Sequence, residues 1–300
     1  MGPLAVELFG KKFKNPVMNA SGTLGYAVEI EPLWGVETMG ACVTKGLSAL
    51  AHHGNPVPRV WEERHGMINS IGLQNVGVER FFSDHFPFFV EKNTPIIVNF
   101  FGFSEDEYLS CAEKIRPHEL IAALEMNLSC PNIKKGGISF GKEASTVYSM
   151  VRSVKGITDI PLIAKLTPEV KNLTEIAIAA YEAGADGLTL INTLPAAAVD
   201  VKKRNVPLKG GLSGPILRPV ALRAVHECSK AVPIPIIGVG GIMDAQDALA
   251  FFMAGASAVQ VGTATFVDPF AIPKIIAGME AWLVSAGLDS IRAITGVTHE

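Results

Sequence analysis

Cys130 stands in Asn127-Leu128-Ser129-Cys130-Pro131-Asn132, directly after the apolar run 120–126. Pro131 disfavours helix at the residue before it, so the chain leaves the run in an extended or turning conformation, with the thiol among amides and a hydroxyl. A thiol held there can act as a general acid or base. The bland alternative is a small buried hydrophobe, the commonest role of a free cysteine. Lys45 and Lys165 lie at or near the ends of apolar runs. An unpaired ammonium is costly to bury, so each calls for an anion unless its stem merely lies along apolar surface.

Asn69, within Met67-Ile68-Asn69-Ser70-Ile71-Gly72-Leu73-Gln74-Asn75, joins Asn127, Asn192 and Thr193 as a set of polar readers. Amides both donate and accept, which suits a cyclic ureide or imide; a sugar or a peptide could be read the same way. Gly240-Gly241 and Gly262-Thr263 follow two further apolar runs. Glycines there expose backbone N–H groups where barrels commonly hold phosphate, although tight closing turns use the same residues. Neither turn carries Lys or Arg, so backbone dipoles would supply the grip.

The elements that must position these groups are short apolar runs at 17–20, 41–44, 95–100, 122–126, 162–166, 187–191, 235–239 and 258–261. Between them lie amphipathic segments such as 105–115, 144–155, 173–183, 219–229 and 245–254, long enough for crossover helices. Continuous apolar strands separated by helices indicate a parallel sheet covered on both faces. The fold class expected is therefore α/β, a closed (β/α)8 TIM barrel. A hairpin of 5–9 and 12–15 around Gly10-Lys11 closes its bottom, and residues 1–300 form one domain. An open doubly wound sheet would carry a Gly-rich fingerprint after the first strand, and none is present. The long stretch 48–91 exceeds an ordinary connection and is expected to serve a site. Residues 195–209 read as a mobile loop over that site.

The chain has 300 residues, is 48% hydrophobic, and carries a net charge of -3 with 29 glycines and 19 prolines. That composition supports a large core and offers no basic field for nucleic acid or a membrane surface. Four scattered cysteines contain no C-x-x-C pair, so no zinc or iron–sulfur site is expected and the metal complement is none. No apolar stretch reaches the roughly 18 residues of a membrane span, and no signal peptide is evident, so a cytoplasmic protein is expected. By their chemistry alone, these residues describe a barrel for a flavin or another phosphorylated ligand, with a cysteine acid/base.

Taken in order, Asn19-Ala20-Ser21-Gly22, Thr44-Lys45-Gly46, Gly54-Asn55-Pro56-x-Pro58-Arg59, 69–75, 127–132, Lys165-Leu166, Asn192-Thr193, 210–214, Gly240-Gly241 and Gly262-Thr263 resemble one family closely. It is that of the class 1 dihydroorotate dehydrogenases, and within it the NAD-linked type B catalytic subunits. The resemblance extends over nearly the whole chain. It implies FMN held by Ser21, Lys45, Gly46, Asn99, Asn127, Lys165, Ile191, Gly214, Gly240, Gly241, Gly262 and Thr263. It implies dihydroorotate at Lys45, Asn69, Ser70, Ile71, Gly72, Leu73, Asn127, Asn192 and Thr193, with Cys130 as catalytic base. An ordinary thiol titrates near about 8.5, so turnover should rise with pH until thiolate dominates. The resemblance also implies a partner subunit carrying FAD and a [2Fe–2S] cluster, in a heterotetramer of two catalytic and two electron-transfer subunits. Competing readings are the fumarate-linked type A enzymes, another FMN-dependent dihydropyrimidine oxidoreductase, and a non-catalytic barrel that only binds a phosphorylated ligand.

Overall fold

The computed structural model describes residues 2–129 and 141–299. Eight apolar runs form the strands of one parallel sheet: β1 (Val17–Asn19), β2 (Cys42–Val43), β3 (Ile96–Phe100), β4 (Ile121–Asn127), β5 (Leu162–Leu166), β6 (Gly187–Leu190), β7 (Ile236–Val239) and β8 (Ala258–Val261). Each lies within one residue of the run that foretold it. Buried residues occupy every position of β3, β5 and β7, as strands covered on both faces require. The strands pair in the order β1-β8-β7-β6-β5-β4-β3-β2, so the two ends of this order are the first two strands of the barrel.

A parallel bridge between Met18 and Ala41 joins those ends and closes the barrel. Beside it, side chains stand in for the missing ladder. Asn19 donates from Nδ2 to the carbonyl of Val43 at 2.8 Å and accepts from the Val43 N–H at 2.9 Å. The amide of Asn19 therefore mimics a backbone unit inside a fully buried seam. One step further, the Thr44 hydroxyl accepts from the N–H of Asn99 at 3.1 Å, and Ser21 donates to the Thr44 carbonyl at 2.8 Å.

Helices Glu105–Lys114, Ala144–Lys155, Leu173–Glu182, Arg218–Ala231, Ala245–Met253 and Ala271–Ser285 follow successive strands and bury one face each. Three start at side-chain caps: Ser104, Asn172 and Asp244 accept from N–H groups of the first turn. Caps of this kind contribute about 1 kcal/mol each and make the boundary sharp. No helix among the described residues is long and apolar enough to cross a membrane.

The N-terminal hairpin pairs Val6–Leu8 with Lys11–Phe13. Its turn is Phe9-Gly10 rather than the expected Gly10-Lys11, with φ of 55° and 71°, the two positive values of a tight two-residue hairpin turn. The Phe9 ring packs against Gly187 at the start of β6, so the hairpin covers the bottom of the barrel.

Residues 195–209 are not a loop. Leu194–Asp200 and Asn205–Ser213 form an antiparallel hairpin within a four-stranded sheet. The other two strands, Val60–Glu63 and Gly66–Asn69, come from the long stretch after β2. Leu194–Asp200 is an edge strand, where Pro195 and a run of alanines are tolerated, so its composition carried little strand signal. Its neighbour pairs with Gly66–Asn69, more than 130 residues earlier. Gly210 permits that approach, because a Cβ there would collide with the carbonyl of Asn69.

Replacing Asn19 by Leu should lower the unfolding free energy by about 2–4 kcal/mol, since each buried backbone group left unpaired costs roughly 1–3 kcal/mol. The check is a shift of the urea midpoint at unchanged slope.

Candidate active site

The C-terminal strand ends and the four-stranded sheet enclose a cavity of about 1270 Å³. Barrels place their chemistry at this end because the loops that follow the strands are free to vary there. The cavity exceeds the roughly 300–1,000 Å³ of an ordinary ligand site, leaving room for two ligands side by side. Ser21, Lys45, Gly46, Asn99, Asn127, Lys165, Gly214, Gly240, Gly241, Gly262 and Thr263 all line it. So do Asn69, Ser70, Ile71, Gly72, Leu73, Asn192 and Thr193. Ile191 does not: it is buried behind Gly240, and its N–H donates to the carbonyl of Val239. Cys130 lies outside the described residues.

Amides converge on one side of this cavity. Asn192 donates from Nδ2 to Oδ1 of Asn127 at 3.2 Å, which links the ends of β6 and β4. Oδ1 of Asn192 accepts the Thr193 N–H at 2.8 Å, and within the covering sheet Asn69 donates from Nδ2 to the carbonyl of its paired residue Gly211 at 3.3 Å. Each amide is thereby oriented while part of its hydrogen-bonding capacity stays open to a ligand. Lys45 projects into the same space, and no ion pair of Lys45 exists among the described residues. Burial, and then the nearby Arg59 guanidinium, push its ammonium below the ordinary lysine range. A nearby anion would favour the charged form of a partly buried ammonium destabilised in this way.

Opposite, Gly240 and Gly241 follow β7 with φ of 130° and 77°, a backbone that L side chains rarely adopt. A Cβ at Gly241 would strike the backbone of Arg218. Gly214, Gly262 and Thr263 line the same wall, and Thr263 donates to the Ser213 hydroxyl at 2.9 Å. Ser129 contributes a buried hydroxyl that has no partner among the described residues and also lines the cavity. Buried polar atoms are ordinarily hydrogen-bonded, so this hydroxyl has capacity to spare toward the cavity.

Three residues of the floor escaped the reading of the sequence. Glu125, Thr189 and Gln260 sit inside apolar strands and are fully buried beneath Lys165 and Asn99. A charged residue in the middle of a strand covered on both faces was the available signal.

A family model for dihydroorotate dehydrogenase matches residues 3–283. The chain belongs to the dihydroorotate dehydrogenase family. It is 50% identical, over 98% of its own length and 97% of the relative's, to a Geobacter metallireducens protein named dihydroorotate dehydrogenase B (NAD(+)), catalytic subunit. Proteins of the same name from Geotalea uraniireducens and Caldicellulosiruptor bescii are 49% and 47% identical over 98% of this chain, covering 97% and 98% of the relatives. Within this family member the thiols of Cys42, Cys111 and Cys228 are buried, and burial pushes each up to about 12. None of the three lines the cavity.

A thiol reagent applied to the native protein should leave Cys42, Cys111 and Cys228 unlabelled until denaturant is added. Peptide mass spectrometry of the labelled chain checks this; rapid native labelling of any of the three would contradict it.

Proposed function

We propose that this chain oxidises dihydroorotate to orotate in UMP biosynthesis, with FMN in the barrel mouth, as the catalytic subunit of an NAD-linked enzyme. The observation that carries the reading is one cavity lined by a partly buried lysine with no ion pair among the described residues, a cluster of oriented amides and a glycine-rich wall. The relatives' shared name supports the NAD-linked assignment.

The residues present fit FMN. Gly240, Gly241, Gly262 and Thr263 would take its phosphate on backbone N–H groups and a hydroxyl, and the left-handed glycines keep that wall free of side chains. Ser21, Gly46, Asn99, Asn127, Lys165 and Gly214 line the remaining span and would hold the ring system. Ile191 would contribute only through its position behind Gly240. Held there, FMN would supply the acceptor for the hydride lost from C6 of the substrate.

Cys130 takes the proton from C5, so that proton and hydride together account for the two hydrogens lost on forming orotate. Burial keeps the other three thiols protonated and none of them lines the cavity, which supports Cys130 as the cysteine that acts in this reading. Lys45 holds the substrate carboxylate, since it is the cation that burial leaves in need of an anion. Asn69, Asn127, Asn192 and Thr193 read the alternating N–H and C=O groups of the ring, and Ser70, Ile71, Gly72 and Leu73 shape the adjoining wall. Lys165, beneath them, supplies positive charge where electron density accumulates.

Residues 1–300 act as a single catalytic domain in this reading. Because the sequence has no dinucleotide fingerprint and no cluster-ligating cysteine set, electrons leave through a second subunit with FAD and a [2Fe–2S] cluster. Two copies of each chain form a cytoplasmic heterotetramer.

Cys130→Ala should retain flavin and orotate while single-turnover bleaching by dihydroorotate slows by orders of magnitude, read anaerobically by stopped flow; undiminished bleaching would remove Cys130 from the role. Co-purification with a flavin and iron–sulfur partner, and orotate-dependent NADH oxidation by that complex, test the NAD linkage. Efficient fumarate reduction by the isolated chain would favour the type A reading.

Lys45 also predicts a pH dependence. Carboxylate binding needs the ammonium form, whose loss begins below the ordinary lysine value. Orotate affinity should be flat at neutral pH and fall as pH rises through that lowered value. Lys45→Gln should weaken neutral-pH binding by roughly 10–100-fold, the worth of a hydrogen bond to a charged group, and abolish the alkaline fall. Titration of the flavin absorbance change with orotate measures both.

A further inference from the structure

Glu125 is a buried carboxylate that this chemistry does not use. It sits in β4 with no solvent exposure. Oε1 accepts from Nδ2 of Asn99 at 2.7 Å and from Nζ of Lys165 at 3.5 Å; Oε2 accepts from the Thr189 hydroxyl at 2.7 Å and from Nε2 of Gln260 at 2.6 Å. Its four partners come from β3, β5, β6 and β8. Every one is a donor, the environment that an acceptor-only, ionised carboxylate requires. Gln260 turns its other edge, Oε1, toward Nζ of Lys165 at 3.4 Å. Lys165 is thus gripped from below by two oxygens while it borders the cavity above.

A layer of five polar side chains in a barrel interior is an uneconomical way to fill space. Well-packed apolar residues of similar volume commonly match or exceed a buried ion pair in stability. The layer's two members that reach the cavity are Lys165 and Asn99, while Glu125, Thr189 and Gln260 do not line it. Asn99 shows the consequence. With Nδ2 committed downward to Glu125, its Oδ1 lies on the side of Gly46, where a Cβ would sit 2.7 Å away. The carboxylate below therefore selects what the cavity meets above: one ammonium and one amide oxygen.

We propose that Glu125 is a positioning residue, clamped by Thr189 and Gln260, whose charge fixes the Lys165 ammonium in place at the cavity floor for the bound flavin. This rests on the FMN reading above. The expected signature is coupling: Glu125 matters to flavin because Lys165 is there.

The test measures the FMN dissociation constant from quenching of free-flavin fluorescence, without turnover, for the unaltered chain, Glu125→Gln, Glu125→Asp, Lys165→Met and the Glu125→Gln/Lys165→Met double variant. Glu125→Gln should weaken FMN by about tenfold or more in the unaltered background and by less than about threefold when Lys165 is Met, the non-additivity expected of residues acting as one unit. Glu125→Asp keeps the charge and loses reach, whereas Glu125→Gln keeps the shape and loses the charge, so Asp should bind FMN more tightly than Gln. Equal losses in both backgrounds, tighter binding by Gln than by Asp, or unaltered affinity in Glu125→Gln would overturn the inference and leave Glu125 a packing residue. Should Glu125→Gln fail to fold, Thr189→Val removes one clamp and keeps the carboxylate. It should weaken FMN where Lys165 is present and not where it is Met; equal losses would again overturn the proposal. If the unaltered chain binds no FMN, the functional reading falls and takes this inference with it.

Discussion

A parallel strand buried on both faces must pair every backbone group, and at the seam between β1 and β2 that duty passes to side chains. Asn19 supplies both edges of a surrogate peptide to Val43, and Thr44 and Ser21 continue the stitching toward β3. The same stretch of chain then delivers Ser21, Lys45 and Gly46 into the cavity. Closure and the cavity are thus mechanically one feature, because a barrel that opened here would displace Lys45 from the cavity wall. The N-terminal hairpin completes the arrangement from below, setting Phe9 against the start of β6.

Polarity inside the barrel is organised by a single rule, that buried charge must be compensated. Glu125 is saturated with donors, whereas Lys45 has no carboxylate among the described residues and is pushed toward its neutral form. Glu125 is fully buried and Lys45 partly so, and they differ in kind. One is satisfied within the fold; the other lines the cavity with no ion pair among the described residues. Exposed pairs such as Arg223 with Glu227 contribute little by comparison, since water competes for both partners.

The sequence made most of the scaffold legible. Strands that must be apolar throughout and helices with one apolar face leave strong periodic signals, so the barrel strands could be bounded to within a residue. Motif residues at strand ends were legible too, because lysine, asparagine and paired glycines in those places are costly or unusual unless a ligand uses them. The covering sheet was not. Its strand Leu194–Asp200 is alanine-rich with a proline at its second position, and its sheet depends on pairing between segments more than 130 residues apart. Local propensity carries no record of such a partner. Glu125, Thr189 and Gln260 were passed over for the opposite reason: the apolar residues around them dominated the pattern that identified their strands.

By itself, the sequence determined the class of fold, the order of its strands and the identity of the groups available for chemistry, since each follows from local pattern and residue type. Only the tertiary structure decided which of those groups face one another. It put Asn192 against Asn127, folded 195–209 into a sheet across the mouth, set Ile191 behind the wall rather than in it, and gathered Lys165, Asn99, Thr189 and Gln260 around Glu125. The physical reason is that barrel closure converts strand register into proximity. Residues far apart in the chain become neighbours only when the last strand pairs with the first and the seam to the second is stitched, and no window of sequence contains that event.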